Sequence, residues 1–304
     1  MNVEAVAEEI EARGYALIPG FLSAGELEQA VAAIEEYFPD PEAGPQAGAA
    51  DAVDVGAFKH AVPFPFASNA LNRLPLDPRV IAVAERLLST RDILLTSSYV
   101  QAKYGTAYGE TKDQSLHNDT WAVNSLLPPR TDGVYRRLFG IVYLTDVTAG
   151  TAPTYVAGRA GDLGVPLITS ERRATYSSAE YPGLYERERP VEAPKGSLLL
   201  FTGDLVHRGS AYRDRYGRRL ALFFNLHSAA ARWTGKHLWA LLPSSPGWAT
   251  FQELISELTP EQRQLLGFPE PGDPYWTADT VRRLCELYPG IDVTPYEPAV
   301  REPA

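Results

Sequence analysis

The chain is 304 residues long, 45% hydrophobic and 22% charged, with a formal net charge of -10 and a pI near 5.1. That length buries one sizeable core, so one domain with extensions is expected, and the acidic balance excludes general nucleic-acid binding, which needs a basic stripe against phosphates. A single cysteine, Cys285, excludes an intrachain disulfide; with no signal-peptide pattern at the acidic start and no stretch of membrane-spanning length, a cytoplasmic location away from membranes is expected.

Val3, Val6, Ala7 and Ile10 recur at helical spacing, and Gly14 suits the left-handed position that ends such a helix. Tyr15 to Ile18 then reads as a short strand. Ser23 with Glu26 forms a capping box, and Leu27, Val31, Ile34 and Phe38 give the next helix one apolar face. Both helices are expected to buttress a sheet. Pro39 to Gly56, rich in Pro, Ala, Gly and Asp without periodicity, reads as a surface loop. Lys59 to Leu76 is aromatic and irregular, and its His60 reads as a packing residue before a substrate contact. Asp77 and Pro78, cap and first-turn proline, start a helix running to about Leu88.

Ile93 to Lys103 is long and β-rich enough for a central strand, with Ser97, Tyr99, Gln101 and Lys103 on one face. A polar face on such a strand suits the inner wall of a barrel that holds polar ligands. Tyr104 to Ser115 is a loop leading into His117, and a Pro-broken loop follows to Val134. Leu138 to Asp146 reads as a strand, Gly150 to Gly164 as a turn-rich connection, and Tyr176 to Glu188 as an insertion without a clear period. Ser197 to Thr202 is an apolar strand with His207 just beyond it, and Arg218 or Arg219 opens another over Leu220 to Leu226. Past Trp233 the chain turns helical: Thr259, Pro260 and Gln262 start one helix, and Thr277 starts another carrying Val281, Leu284 and Leu287. The expected organisation is a domain over 1–232 and a helical C-terminal extension over 233–304 packed on it.

Chemistry concentrates in Leu116-His117-Asn118-Asp119-Thr120-Trp121. On an extended backbone, residues two apart share a face, so His117 and Asp119 can present an imidazole and a carboxylate to one ion. His207 supplies a third ligand of the right kind. Two histidines and one carboxylate that leave the other face of the ion open is the arrangement of non-haem Fe(II) oxygenases.

Five stretches then resemble the phytanoyl-CoA dioxygenase family, over roughly residues 10 to 227: Gly14 to Ser23, Gln101 to Gly105, Leu116 to Thr120, Pro194 to Phe201, and His207 to Ser210 with Gly217 to Arg219. The resemblance implies a mainly β fold, a double-stranded β-helix (jelly-roll, cupin-like) core with N- and C-terminal helices. It implies Fe(II) held by His117, Asp119 and His207, with 2-oxoglutarate and O2 as co-substrates. The expected outcome is hydroxylation, or another oxidation, of a C–H of a small molecule, with release of succinate and CO2. The chain departs from the family between Gly150 and Arg159, where the usual Pro-Gly-Ser-His is missing, and Arg208 stands as an extra residue between His207 and the Gly-Ser pair.

A dicarboxylate needs a cation at its far end, and a guanidinium offers a two-pronged, always-charged one. The extra Arg208 moves that role from Arg218 to Arg219, leaving Arg218 to point outward. Lys103 and Ser210 are expected to add hydrogen bonds to the same carboxylates, and Gln101 to line the pocket. Trp121 is equally a core residue or a substrate contact, and His237 belongs to an exposed basic and aromatic run. With Asp119 present, the position that iron halogenases leave open for chloride is filled. Few clustered basic residues meet a CoA diphosphate, so an amino-acid derivative or specialised metabolite is the expected substrate class; the oligomeric state is not encoded legibly. Two other readings stay open: a cupin-like hydrolase or isomerase using the same ligands, and a non-catalytic barrel that binds metal or 2-oxoglutarate.

Overall fold

The computed structural model describes residues 1–38, 53–55, 58–109, 111–120, 131, 133–167, 169, 174–231, 248–273, 276, 278, 281, 284, 285 and 288–297. The first half contains α1 (Val3–Arg13), β1 (Tyr15–Ile18), α2 (Ala24–Glu35), β2 (Val53–Val55), β3 (Phe58–Pro63), α3 (Asn69–Asn72), α4 (Pro78–Leu88), β4 (Ile93–Tyr104), β5 (Leu116–His117) and β6 (Leu138–Tyr143). The second contains β7 (Thr154–Arg159), β8 (Thr175–Tyr176), α5 (Pro182–Arg187), β9 (Arg189–Val191), β10 (Ser197–Thr202), β11 (Leu205–Gly209), β12 (Arg218–Ser228), α6 (Trp248–Glu257) and α7 (Pro260–Leu265).

The strands form two sheets of antiparallel pairs: a seven-stranded one, β1-β10-β6-β12-β4-β3-β2, and a five-stranded one, β8-β5-β11-β7-β9. With helices packed outside, this is a double-stranded β-helix, mainly β as expected. The period of two along each strand sorts side chains into layers. On β10, Leu198 and Leu200 join the large outer core with the helices, while Leu199 and Phe201 join a smaller core between the sheets. On β12, Leu220, Leu222, Phe224 and Leu226 face outward to the helices, and Ala221 and Phe223 face inward. Both faces of β10 are therefore buried, which is why its sequence is a continuous apolar run. A third core, with Leu116, Tyr176 and Val206, covers the outside of the small sheet.

Local chemistry sets the element ends. Asn2 caps α1 and Gly14, at φ +83°, closes it. A Cβ at Gly14 would stand 2.7 Å from Arg159 Cγ, so the position tolerates glycine alone on two counts. The Ser23–Glu26 capping box starts α2, Asp77 and Pro78 start α4, and a Thr259–Gln262 capping box starts α7, all as the sequence suggests.

Several expectations are corrected. Phe38 is buried but lies past the end of α2. The loop expected over Pro39 to Gly56 lies mostly outside the described residues, yet its end, Val53–Val55, is a strand. Phe58–Pro63 is also a strand, completed by pairing with β4 rather than by any local pattern; the side chain of His60 lies outside the described residues. The connection expected over 150–164 contains β7, the strand beside β11. Within the presumed insertion, Tyr176 belongs to β8, which pairs with β5, and Pro182–Arg187 is a helix. His207 lies just beyond β10, as expected, and the structure adds that it sits in a further strand, β11. The helix expected at Thr277 lies partly outside the described residues, as do Thr277 and Leu287, but Val281 and Leu284 are buried in the outer core with Phe251, Leu254 and Leu265. Among the described residues no helix is long and apolar enough to cross a membrane.

Candidate metal centre and anion pocket

The short strand β5 turns Leu116 into the third core outside the small sheet and His117 to the inside. Antiparallel pairing with β11 places His207 directly opposite His117, ring centroids 4.5 Å apart. His117 Nε2 lies 3.9 Å from Asp119 Oδ1, and His207 Nε2 lies 3.5 Å from Asp119 Oδ2. One ligand atom from each residue falls within 4.8 Å of the others, and among the described residues no other cluster of His, Cys, Asp or Glu is so arranged.

Backbone carbonyls fix both imidazoles. Nδ1–H of His117 donates to Ser115 O at 2.8 Å, and Nδ1–H of His207 to Leu205 O at 2.9 Å, which leaves each Nε2 lone pair aimed at the shared point. Burial pushes the His207 imidazole down to about 4, with Asp119 partly opposing, so the ring is unprotonated and fit to coordinate. Asn118, fully buried between the two ligands, donates to Leu167 O at 2.9 Å and to the Tyr176 hydroxyl at 2.8 Å, and accepts from Thr120 N–H at 3.1 Å. Its side chain pins the chain on the side opposite the ligands. The Asp119 N–H donates to Gly203 O at 2.8 Å, and a Cβ on Gly203 would come within 3.4 Å of Thr120 and Phe139.

Arg219 and Lys103 face each other across the β12–β4 pair. Arg219 is 2% exposed; its Nη1 donates to Ala152 O at 2.7 Å while its Nε has no hydrogen-bond partner among the described residues. Ala152 holds that carbonyl from a left-handed backbone, φ +60°, which costs about 1 kcal/mol for a residue with a Cβ. Burial disfavours the charge on Arg219 and drives Lys103 down to about 7, where Arg219 adds repulsion. A buried guanidinium with an orphaned N–H, and a half-buried amine opposite it, together fit a carboxylate guest. Lys103 Nζ donates to Ser210 O at 2.6 Å, and the Ser210 hydroxyl donates to Pro153 O at 2.7 Å. Gln101 is buried two residues from Lys103 on the same strand. Tyr99 stacks on Phe223 at 4.9 Å, and burial raises its hydroxyl. Arg218 instead turns to Glu35 and Phe38 O. Trp121 and His237 lie outside the described residues.

Three residues at the centre escape a reading of the sequence: Asn118, Gly203 and Arg137. The Arg137 guanidinium is buried beside Phe139, 5.4 Å from its ring centre, and Nη2 donates to Asn225 Oδ1 at 3.1 Å. The one available signal is the Arg136-Arg137 pair opening β6, and it does not say which arginine turns inward.

Comparison with known proteins agrees with this geometry. No curated protein matches. Among solved structures, the epimerase SnoN in complex with Fe3+, alpha ketoglutarate and nogalamycin RO is 21% identical, with 81% of this chain and 90% of that one covered at a TM-score of 0.58. EctD from S. alaskensis with bound Fe is 20% identical, covering 79% and 82% at 0.57, and HygX from Streptomyces hygroscopicus with nickel and 2-oxoglutarate is 20% identical, covering 74% and 86% at 0.52. These likenesses establish the fold. Residues 10–219 match the phytanoyl-CoA dioxygenase (PhyH) family, a span that runs from α1 through both histidines to Arg219; the chain belongs to that family.

Proposed function

We propose that the protein is an Fe(II)/2-oxoglutarate-dependent dioxygenase that oxidises a C–H of a small organic molecule, releasing succinate and CO2. The observation that carries this is the pairing of an open two-histidine, one-carboxylate set with a buried, half-satisfied guanidinium inside the same barrel. His117, Asp119 and His207 would hold the metal, and Arg219, with Lys103, the far carboxylate of 2-oxoglutarate. Bound iron supplies O2 activation. The protein's own groups hold the ligands in register, keep the buried His207 ring unprotonated and exclude water with the Phe139, Phe201 and Phe223 rings.

SnoN, a non-haem alpha ketoglutarate-dependent epimerase, supports leaving the outcome at the carbon open between hydroxylation and inversion. An amino-acid derivative or specialised metabolite is favoured over a CoA ester. The division into 1–232 and 233–304 and a reducing cytoplasmic setting, which the exposed thiol of Cys285 suits, belong to the same reading. The test is anaerobic addition of Fe(II) and then 2-oxoglutarate, following the weak visible charge-transfer band of the chelate. Its appearance in wild type and loss in His207→Ala supports the oxygenase. Iron-loaded, folded protein without a band favours the hydrolase or binding reading, in which Arg219 is dispensable.

A further inference from the structure

Arg137 is not explained by the metal or by 2-oxoglutarate. Among the described residues its Nε and Nη1 are buried without a hydrogen-bond partner, and Nη2 donates to a neutral acceptor, Asn225 Oδ1. Asn225 is itself oriented, because its Nδ2 donates to Ser97 Oγ. Phe139 flanks the guanidinium and stacks on Phe201, which packs against His207. His227 lies close enough for the Arg137 charge to act on it, and its Nδ1 is bonded to Thr96 Oγ1.

A buried charge is ordinarily paired, because leaving charged N–H groups dry and unpaired is costly. Among the described residues, Asp119 is the charged group that attracts Arg137. In the proposed enzyme that carboxylate is committed to the metal, whose own positive charge further offsets it. Lys103 also feels Asp113, and a bound dicarboxylate at Arg219 and Lys103 still leaves Arg137, among the described residues, without an anion of its own.

Its placement is tied to the centre through one residue. Gly203 donates its N–H to Arg137 O at 3.2 Å and accepts at its own carbonyl from Asp119 N–H at 2.8 Å. The arginine therefore stands at a fixed offset from the metal carboxylate, where a substrate anchor is needed.

We propose that Arg137, held by Asn225 and flanked by Phe139, is the anchor for a carboxylate on the substrate, so that the enzyme acts on small organic acids. This rests on the dioxygenase reading and narrows its substrate class. The planar guanidinium fits a carboxylate through two parallel hydrogen bonds, and the aromatic surface beside it suits an apolar body next to that group. An uncharged substrate would leave the arginine as it is now.

Formate is the probe, because it carries the carboxylate without a shape to be rejected. The full chain is loaded with Ni(II), saturated with 2-oxoglutarate to occupy Arg219 and Lys103, and titrated with carbon-13 formate, following paramagnetic broadening of its resonance. Wild type should bind formate about tenfold or more tightly than Arg137→Gln, with 2-oxoglutarate affinity unchanged in that variant. Arg219→Gln should lose 2-oxoglutarate instead. As a second measure, Arg137→Met removes an unpaired buried charge and should raise the melting temperature of the ligand-free protein by about 2 °C or more.

Equal formate binding in wild type and Arg137→Gln, as for formate sitting on the nickel, overturns the proposal. So does parallel loss of 2-oxoglutarate, which makes Arg137 part of the co-substrate site, or a fall in melting temperature of Arg137→Met without any formate effect, which makes it a structural cation. If wild type binds no 2-oxoglutarate at all, the dioxygenase reading itself fails, and that is seen before formate is added.

Discussion

His117 and His207 are a registered cross-strand pair, directly opposite on β5 and β11 with ring centroids 4.5 Å apart. Two imidazoles so placed, each with Nδ1 spent on a carbonyl, gain most from a shared cation. A divalent metal at about 100 times its Kd should therefore stabilise the fold by about 2.7 kcal/mol. Melting curves with and without Fe(II), Ni(II) and chelator should show the shift in wild type and lose it in His117→Ala, Asp119→Ala and His207→Ala.

The neighbouring arginines of β12 separate cleanly. Arg219→Ala removes a charge-assisted contact of about 2 to 3 kcal/mol and should weaken 2-oxoglutarate about 30-fold or more, with the metal-dependent melting shift intact. Arg218→Ala, whose partners are Glu35 and Phe38 O on the outside, should leave that affinity unchanged. Titration of the charge-transfer band reads both.

Lys103 makes binding depend on pH. Burial first, then Arg219 and Arg208, lower its ammonium to about 7, with Asp113 opposing. Between that value and the ordinary 10.5 the unfolded chain holds the proton and the folded chain does not, so the stability cost of Lys103 is full below about 7 and fades as pH rises. A dicarboxylate favours the charged amine, so above about 7 binding takes up a proton and 2-oxoglutarate affinity falls with rising pH. Lys103→Met should flatten that dependence in calorimetric titrations run in buffers of different ionisation heat.

Asn118 is a positioning residue. Asn118→Leu strips partners from Leu167 O, Tyr176 and Thr120, each buried polar group costing about 1 to 3 kcal/mol. Urea unfolding should show the loss, and metal affinity should drop about 10-fold to 100-fold because the ligands on either side lose their register. Rescue by Asn118→Asp should be partial, since the carboxylate keeps the contact to Thr120 N–H but cannot donate to Leu167 O.

The sequence carries the metal set well through the stretches around His117, His207 and Arg219, but not for the reason of a strand period: β5 ends at His117, and Asp119 is placed by its N–H bond to Gly203 O. It carries β7 poorly: Pro153, Gly158, Gly161 and Gly164 punctuate the segment as loops do, and the strand exists through its pairing with β11 and β9. Strand β5 has two residues, too few for any period, and β3 is set by β4 across the sheet. The inward turn of Arg137, rather than Arg136, depends on which face of β6 carries Phe139 opposite Asn225 of β12. The arginine pair alone does not contain that information.

Phe251 of α6 sits edge-on to Phe64 at 5.4 Å, and Leu254, Leu265, Val281 and Tyr296 fill the same outer core as Val62, Leu76 and Val100. The flank of the barrel is thus finished by residues that are synthesised after the metal set. During synthesis, the stretch bearing the complete metal set emerges with an oily side uncovered, and a chain released early at about residue 232 would be prone to clump or to be taken by chaperones and proteases. The barrel is covered only when this later stretch arrives.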